Sequence, residues 1–85
     1  MKKLLNTLYI TSENKYLSLD GENVVIKEEG AELGRMPLHN LEMIVTFSRA
    51  GASPALMGKC ADNNISIVFL TPSGSFLARV EGKTK

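Results

Sequence analysis

His39 stands three residues before Glu42, and the chain holds no other histidine. A metal centre or an acid–base site needs several converging groups, so this pair reads as a turn or surface pair with a third ligand missing. Gly51-Ala52-Ser53-Pro54-Ala55 has the setting of a nucleophile elbow, with a serine between a strand and a helix. The elbow takes an oxyanion donor from the N–H of the residue after the serine, and Pro54 has no N–H. Ser53 is therefore expected to cap a helix. No Gly-x-Gly-x-x-Gly or Gly-Lys-Ser/Thr pattern follows a strand, which leaves nucleotide binding by either glycine-rich route without support. What remains is Arg49, Gly51, Ser53 and Lys59, gathered around one loop and helix start. Free N–H groups and the helix dipole favour an anion there, and a backbone phosphate is the candidate, read by charge and not by sequence.

These residues need elements to hold them. Leu4 to Thr11 mixes apolar and β-branched residues and reads as a strand, broken by Ser12-Glu13-Asn14. Tyr16 to Asp20 alternates Leu17 and Leu19 with Ser18, the period of a half-buried strand, and Asp20-Gly21-Glu22-Asn23 turns it into Val24 to Ile26. Lys27-Glu28-Glu29-Gly30 is a second polar turn, and Glu32 to Met36 a strand stopped by Pro37. This stretch predicts a meander of hairpins. Leu38 to Glu42 reads as a tight polar connection and Met43 to Phe47 as a more buried strand. Ser53-Pro54 opens a helix to about Asp62, because serine caps free N–H groups while proline tolerates the first helical position. Leu56, Met57, Cys60 and Ala61 share its apolar face, with Ala55, Gly58, Lys59 and Asp62 outward. Ile65 to Leu70 predicts a buried strand, turned by Pro72-Ser73-Gly74 into Phe76 to Val80. The expected fold is mainly β (α+β): a strand-rich, sandwich-like domain of about seven strands with one helix packed on a sheet.

The 85 residues, 44% hydrophobic and 22% charged, make one small globular domain spanning 1–85 and exclude a disordered tail or a coiled coil. Such a chain buries only about 60% of its unfolded surface, so a partner or a second domain is plausible. One cysteine excludes a disulfide framework and a clustered-thiolate zinc site, and it suits a reducing compartment. Cys60 on the apolar helix face reads as a structural thiol and Met57 as core filler. Met1-Lys2-Lys3-Leu4-Leu5 starts like a signal peptide, but Asn6 and Thr7 interrupt the apolar run, and no stretch reaches membrane-spanning length. The total charge of +1 is far from that of a nucleic-acid coat protein, yet residues 13–32 hold six carboxylates against two lysines, net −4, leaving +5 on the remainder. Any nucleic-acid contact should come from that remainder; the alternative is that these charges only solvate outer faces.

Five segments recur together in one family: Leu8-Tyr9-Ile10-Thr11, Tyr16 to Asn23, Pro37-Leu38-His39-Asn40-Leu41-Glu42, Gly51 to Met57, and Phe69 to Val80. In order and spacing the chain resembles the N-terminal domain of the CRISPR-associated spacer-acquisition integrase, the Cas-one family, nearest its type I-C branch. Each segment alone is capping or turn chemistry; the resemblance lies in all five in register over nearly the whole chain.

The resemblance implies a β-rich domain followed, in the full protein, by a helical domain whose Glu, His and Asp bind the Mg or Mn ion used in DNA strand transfer. His39 and Glu42 are not carried over as those ligands, so this chain is expected to hold no metal or cofactor and to be inactive alone. Ending at Glu81-Gly82-Lys83-Thr84-Lys85, where the family leads into the helical domain, it reads as a fragment. The implied role is dimerisation and DNA support within a cytoplasmic endonuclease and integrase of antiviral defence. The implied partners are a homodimer mate, the Cas-two protein and a double-stranded protospacer, with no membrane. Arg49, Ser53 and Lys59 are the phosphate candidates. Some family members cap the duplex end with an early aromatic residue, and Tyr16 is the nearest match. The competing class is a stand-alone β-rich protein-interaction module with no nucleic-acid role; a self-sufficient hydrolase lacks any nucleophile–base–orienter set.

Overall fold

In the computed structural model, which describes residues 6–82, β-branched and apolar runs form seven strands and the Ser-Pro start forms one α-helix. The elements are β1 (Thr7–Ile10), β2 (Tyr16–Asp20), β3 (Asn23–Glu28), β4 (Ala31–Pro37), a 3-10 turn (Leu38–Asn40), β5 (Met43–Thr46), α1 (Pro54–Asp62), β6 (Ser66–Leu70) and β7 (Phe76–Val80). They make two sheets, a three-stranded one in the order β2-β3-β4 and a four-stranded one in the order β1-β5-β6-β7. The expected mainly β architecture of about seven strands and one helix is what forms.

The three-stranded sheet is the predicted meander. β2 and β3 join through Gly21-Glu22, and β3 and β4 through Glu29-Gly30, both at positive φ (52° and 82°), the backbone that matches strand twist in a two-residue hairpin. The meander does not extend to β1. That strand pairs in parallel with β5, Leu8 opposite Ile44, and β5 pairs in parallel with β6, Ile44 opposite Ile67. Parallel partners need a long crossover. Residues 11–42, carrying the whole three-stranded sheet, supply the first, and α1 supplies the second.

The core lies between the sheets. Ile10, Ile44 and Ile67 come from one sheet, Leu17 and Val24 from the other, and Leu56 and Cys60 from α1, which packs against β2, β6 and β7. Leu38 and Leu41 join them, so the connection from 38 to 42 is not merely polar: Leu38, which opens the 3-10 turn, and Leu41, which follows it, both enter the core. The β-strand expected from Leu4 forms from Thr7; Leu4 and Leu5 lie outside the described residues. The run from Ile65 is less buried than expected of a core strand, with Ile67 alone fully enclosed within β6 and Ile65 buried just ahead of it.

Candidate nucleic-acid interface

The loop from 47 to 53 is fixed from below before it presents anything. Thr46 and Ser48 are buried polar residues, at 0% and 4% exposure. Thr46 Oγ1 accepts from the Ser48 N–H (3.1 Å), and Ser48 Oγ donates to the Glu13 carbonyl (2.8 Å) while accepting from the Ala50 N–H (3.1 Å). The N–H of Arg49 also donates to the Glu13 carbonyl (3.0 Å), and that of Phe47 to Ile10 (2.8 Å). These bonds satisfy polar groups that burial would otherwise penalise, and they set the Arg49 backbone in one place with its side chain at the surface. Gly51, at φ 79°, turns the chain beside β2. Its carbonyl accepts from the Leu17 N–H (3.0 Å), and the Ser53 N–H donates to Leu17 (2.8 Å), which closes part of the outer edge of β2.

Ser53 is the expected cap. Its Oγ accepts from the Leu56 N–H at 3.1 Å, and its carbonyl accepts from the Met57 N–H at 3.0 Å. With Pro54 lacking an N–H, only the Ala55 amide of the first turn is left unused by the turn itself, so the helix start offers an anion less than the sequence suggests. Lys59 lies six residues on, about 9 Å of helix rise from the cap. Its Nζ sits 2.9 Å from Glu22 Oε2, with the lysine 29% and the glutamate 76% exposed.

The acidic stretch is compensated where it stands. Arg35 binds Glu32 through Nε (2.7 Å) and Nη2 (2.9 Å) and Asp20 through Nη1 (3.0 Å), and Lys15 reaches Glu28 at 3.2 Å. The Arg35 hydrogen bond holds the Glu32 carboxyl below its usual range. Arg35 and Lys59 come from the basic remainder, so the +5 outside residues 13–32 is partly spent on that stretch.

A feature that sequence reasoning missed lies beside the loop. An open groove of about 430 Å³ runs between residues 48–52, Met57, Phe69 and the β7 residues Leu77 to Val80. Its lining residues are mostly apolar, with Arg49 on the loop and Arg79 on β7, although the register sets Arg79 on the sheet face opposite Phe69, Ala78 and Val80. Arg79 belongs to the last quoted segment, but only the pairing of β7 with β6 and the packing of α1 against β7 bring it to the loop.

The remaining candidates are scattered. Tyr16 opens β2 at 37% exposure opposite Lys27, at the surface and not in the core. His39 is exposed on the 3-10 turn, and Glu42, half-buried, leads into β5. Among the described residues no three His, Cys, Asp or Glu side chains come together as a set that could hold a metal ion. The Mg or Mn ion implied by the resemblance therefore finds no fitting ligand set in the described part of this chain, and no catalytic step is assigned to it. No helix among the described residues is long and apolar enough to cross a membrane.

The family described as CRISPR associated protein Cas1 matches residues 8–85, nearly the entire chain. This chain belongs to the Cas1 family. It is 51% identical over 82 residues to the CRISPR-associated endonuclease Cas1 2 of Rhodospirillum rubrum, covering 96% of this chain and 24% of that protein. It is 45% identical over 85 residues to the CRISPR-associated endonuclease Cas1 1 of Chlorobaculum tepidum, covering all of this chain and 25% of the relative. The chain thus spans about a quarter of the length of these Cas1 proteins. Its fold superimposes on a chain of a partial Cas6-RT-Cas1–Cas2 complex with a TM-score of 0.81 at 12% identity, over 95% of this chain and 24% of that one. At that identity the likeness speaks for the fold, two sheets and a helix shared with a structure that contains Cas1.

Proposed function

We propose that this chain is the dimerising, DNA-supporting domain of a metal-dependent integrase and endonuclease that inserts spacers into CRISPR arrays, of the type I-C branch and acting in the cytoplasm. The observation that carries the reading is the Cas1 family match over residues 8–85. The relatives' names as endonucleases and the Cas1–Cas2 assembly named for the structural neighbour support the wider activity and a Cas2 partner. Under this reading strand transfer belongs to Glu, His and Asp of a helical domain outside the 85 residues, where Mg or Mn would polarise the phosphodiester. The chain's own residues support DNA. Arg49 and the Ser53 turn face the phosphate backbone, Lys59 joins them on leaving Glu22, and Tyr16 stacks on a duplex end. Two protomers pair through the hairpins from Tyr16 to Met36, whose outer strand β4 pairs with no further strand among the described residues and exposes 54% of Leu33.

A second reading, a stand-alone protein-interaction module, draws on the exposed Tyr9, Leu33, Phe76 and Leu77 and on the compensated charge. Sedimentation of the 85-residue chain at micromolar concentration, together with duplex binding at low salt, separates the two. The integrase-domain reading expects a dimer that Leu33→Asp converts to monomer, and weak, sequence-independent duplex binding. A clean monomer would sink the dimerisation role, and a dimer that ignores duplex DNA would favour the interaction module. Leu17, at 0% exposure, is core and unsuitable for the dimer test.

A further inference from the structure

We infer that the outer face of the four-stranded sheet is the seat of one amphipathic helix, supplied by the same polypeptide outside these 85 residues. The seat requires a polypeptide longer than this chain, as the proposed function does, and neither the DNA role nor the dimer role enters it. With Ile10, Ile44 and Ile67 turned into the core, the alternation along each strand turns Tyr9, Val45 and Val68 outward, and the register sets them side by side across β1, β5 and β6. Met43, Leu70 and Leu77 share that face to either side of the row. Among the described residues the three-stranded sheet and α1 both lie on the core side, so this face is left uncovered, with Tyr9 62% and Leu77 59% exposed.

The two sheets differ in what they turn outward. The three-stranded sheet presents Ser18, Asp20, Lys27 and Arg35, the polar side that an antiparallel sheet keeps toward water. By contrast β1, β5 and β6 are parallel, and Met43-Ile44-Val45 and Ile67-Val68-Phe69-Leu70 are apolar at both alternating positions, the pattern of strands covered on both faces. Arg79, which extends the row beside Val68, is tied to Glu81 at 2.7 Å on the rim of the sheet, so the centre asks for apolar surface. Size selects the occupant. Strands of four or five residues, spaced about 4.8 Å, offer a face of about 14 by 15 Å. A helix about 10–12 Å wide with its side chains fills that width with an apolar stripe of about three turns. A second copy laid face to face would bury only about 200–300 Å² on each side, against about 800 Å² per partner in a stable interface. A helix of the same polypeptide needs no such area, because its tether raises its effective concentration to about the millimolar range. The relatives have the length to supply it, since this chain spans 24% and 25% of two of them.

The test is hydroxyl-radical footprinting of the full-length protein encoded by the gene, read by mass spectrometry over a dilution series. Tyr9 and Tyr16 carry the same ring, and at 62% against 37% exposure Tyr9 should react faster where nothing covers it. A docked helix reverses the order: Tyr9 is expected to be modified more slowly than Tyr16 at every dilution, with Met43 protected alongside it. Val68→Asp, a charge set in the middle of the face, should return Tyr9 to the faster rate, and Leu77→Glu on the exposed rim should do the same without a burden on folding. Benzoylphenylalanine in place of Leu77 should cross-link within one polypeptide to positions three or four residues apart, whereas positions two apart would name a strand and overturn the helix. Three further results overturn the inference. Tyr9 reacting faster than Tyr16 throughout the series means an open face, and leaves the dimer and DNA roles standing. Protection of Tyr9 that fades on dilution assigns the face to a second copy or to another protein. An open reading frame that ends at residue 85 leaves no helix to dock, and the assignment of catalysis to a further domain falls with it.

Discussion

Cys60 sits fully buried on the inner side of α1, and burial pushes its thiol up to about 11 from a reference of 9.0. A thiol kept neutral by desolvation is a poor nucleophile, which agrees with a structural role. The linkage has a definite sign. Below pH 9 both folded and unfolded chains keep the proton, and this group leaves stability unchanged. Between pH 9 and about 11 the unfolded chain releases the proton and the folded chain does not, so stability falls as pH rises through that window. Urea unfolding of wild type and Cys60→Ala across pH 8 to 11 should show the wild type losing stability more steeply, although the variant starts lower because of the cavity it leaves. Parallel pH profiles would mean that the thiol ionises as freely folded as unfolded.

Among the elements, β7 is held at its far end by a backbone contact with no side chain between. A Cβ added to Gly82 would stand 2.5 Å from Asn64 Cα and 2.8 Å from its carbonyl carbon, and Asn64 itself sits at φ 60° in the turn after α1. Backbone cannot rotate aside as a side chain can, so Gly82→Ala should cost about 1–3 kcal/mol, or about 4–8 °C in Tm for each kcal/mol at this chain length. Gly58→Ala, exposed in mid-helix with open space around it, should instead gain about 0.5–1 kcal/mol. Thermal unfolding of both variants checks the contrast, and equal Tm values would refute the contact. The same scale shows what the sequence made legible. Period-two alternation placed β2, and the Ser53-Pro54 start placed α1 with Leu56 and Cys60 inward, because both signals are local. The partner of β1 was not legible, since the whole three-stranded sheet separates Leu8 from its neighbour Ile44 along the sequence and nothing in Leu8-Tyr9-Ile10 distinguishes a parallel from an antiparallel neighbour. The site divides in the same way. The cap at Ser53 is a local motif, whereas Ser48, which fixes the Arg49 loop, acts through the Glu13 carbonyl 35 residues away. Arg79 borders the same groove as Arg49 only because β7 folds onto β6.

For the molecule as a whole, the chain belongs to a family of proteins about four times its length, and no three His, Cys, Asp or Glu side chains gather as a metal-holding set among its described residues. It spans about a quarter of relatives named endonucleases, and its one histidine is exposed on a 3-10 turn with Glu42 three residues away. Strand transfer by a divalent metal needs the ion fixed by several oxygen or nitrogen ligands, so that it can polarise phosphate and activate the attacking hydroxyl together. Two side chains of one short connection can hold such an ion only loosely, with most of its shell left to water. The purified 85-residue chain, incubated with branched and splayed duplexes over a range of Mg and Mn concentrations, should therefore yield neither cleaved nor joined product above a buffer control. The informative comparison is His39→Ala. Metal-dependent product from the wild type that disappears in this variant would place the chemistry in the 3-10 turn, and the assignment of catalysis to a domain beyond this chain would have to be given up. Product of equal yield from both would point to a contaminating nuclease, which a second purification by a different route removes.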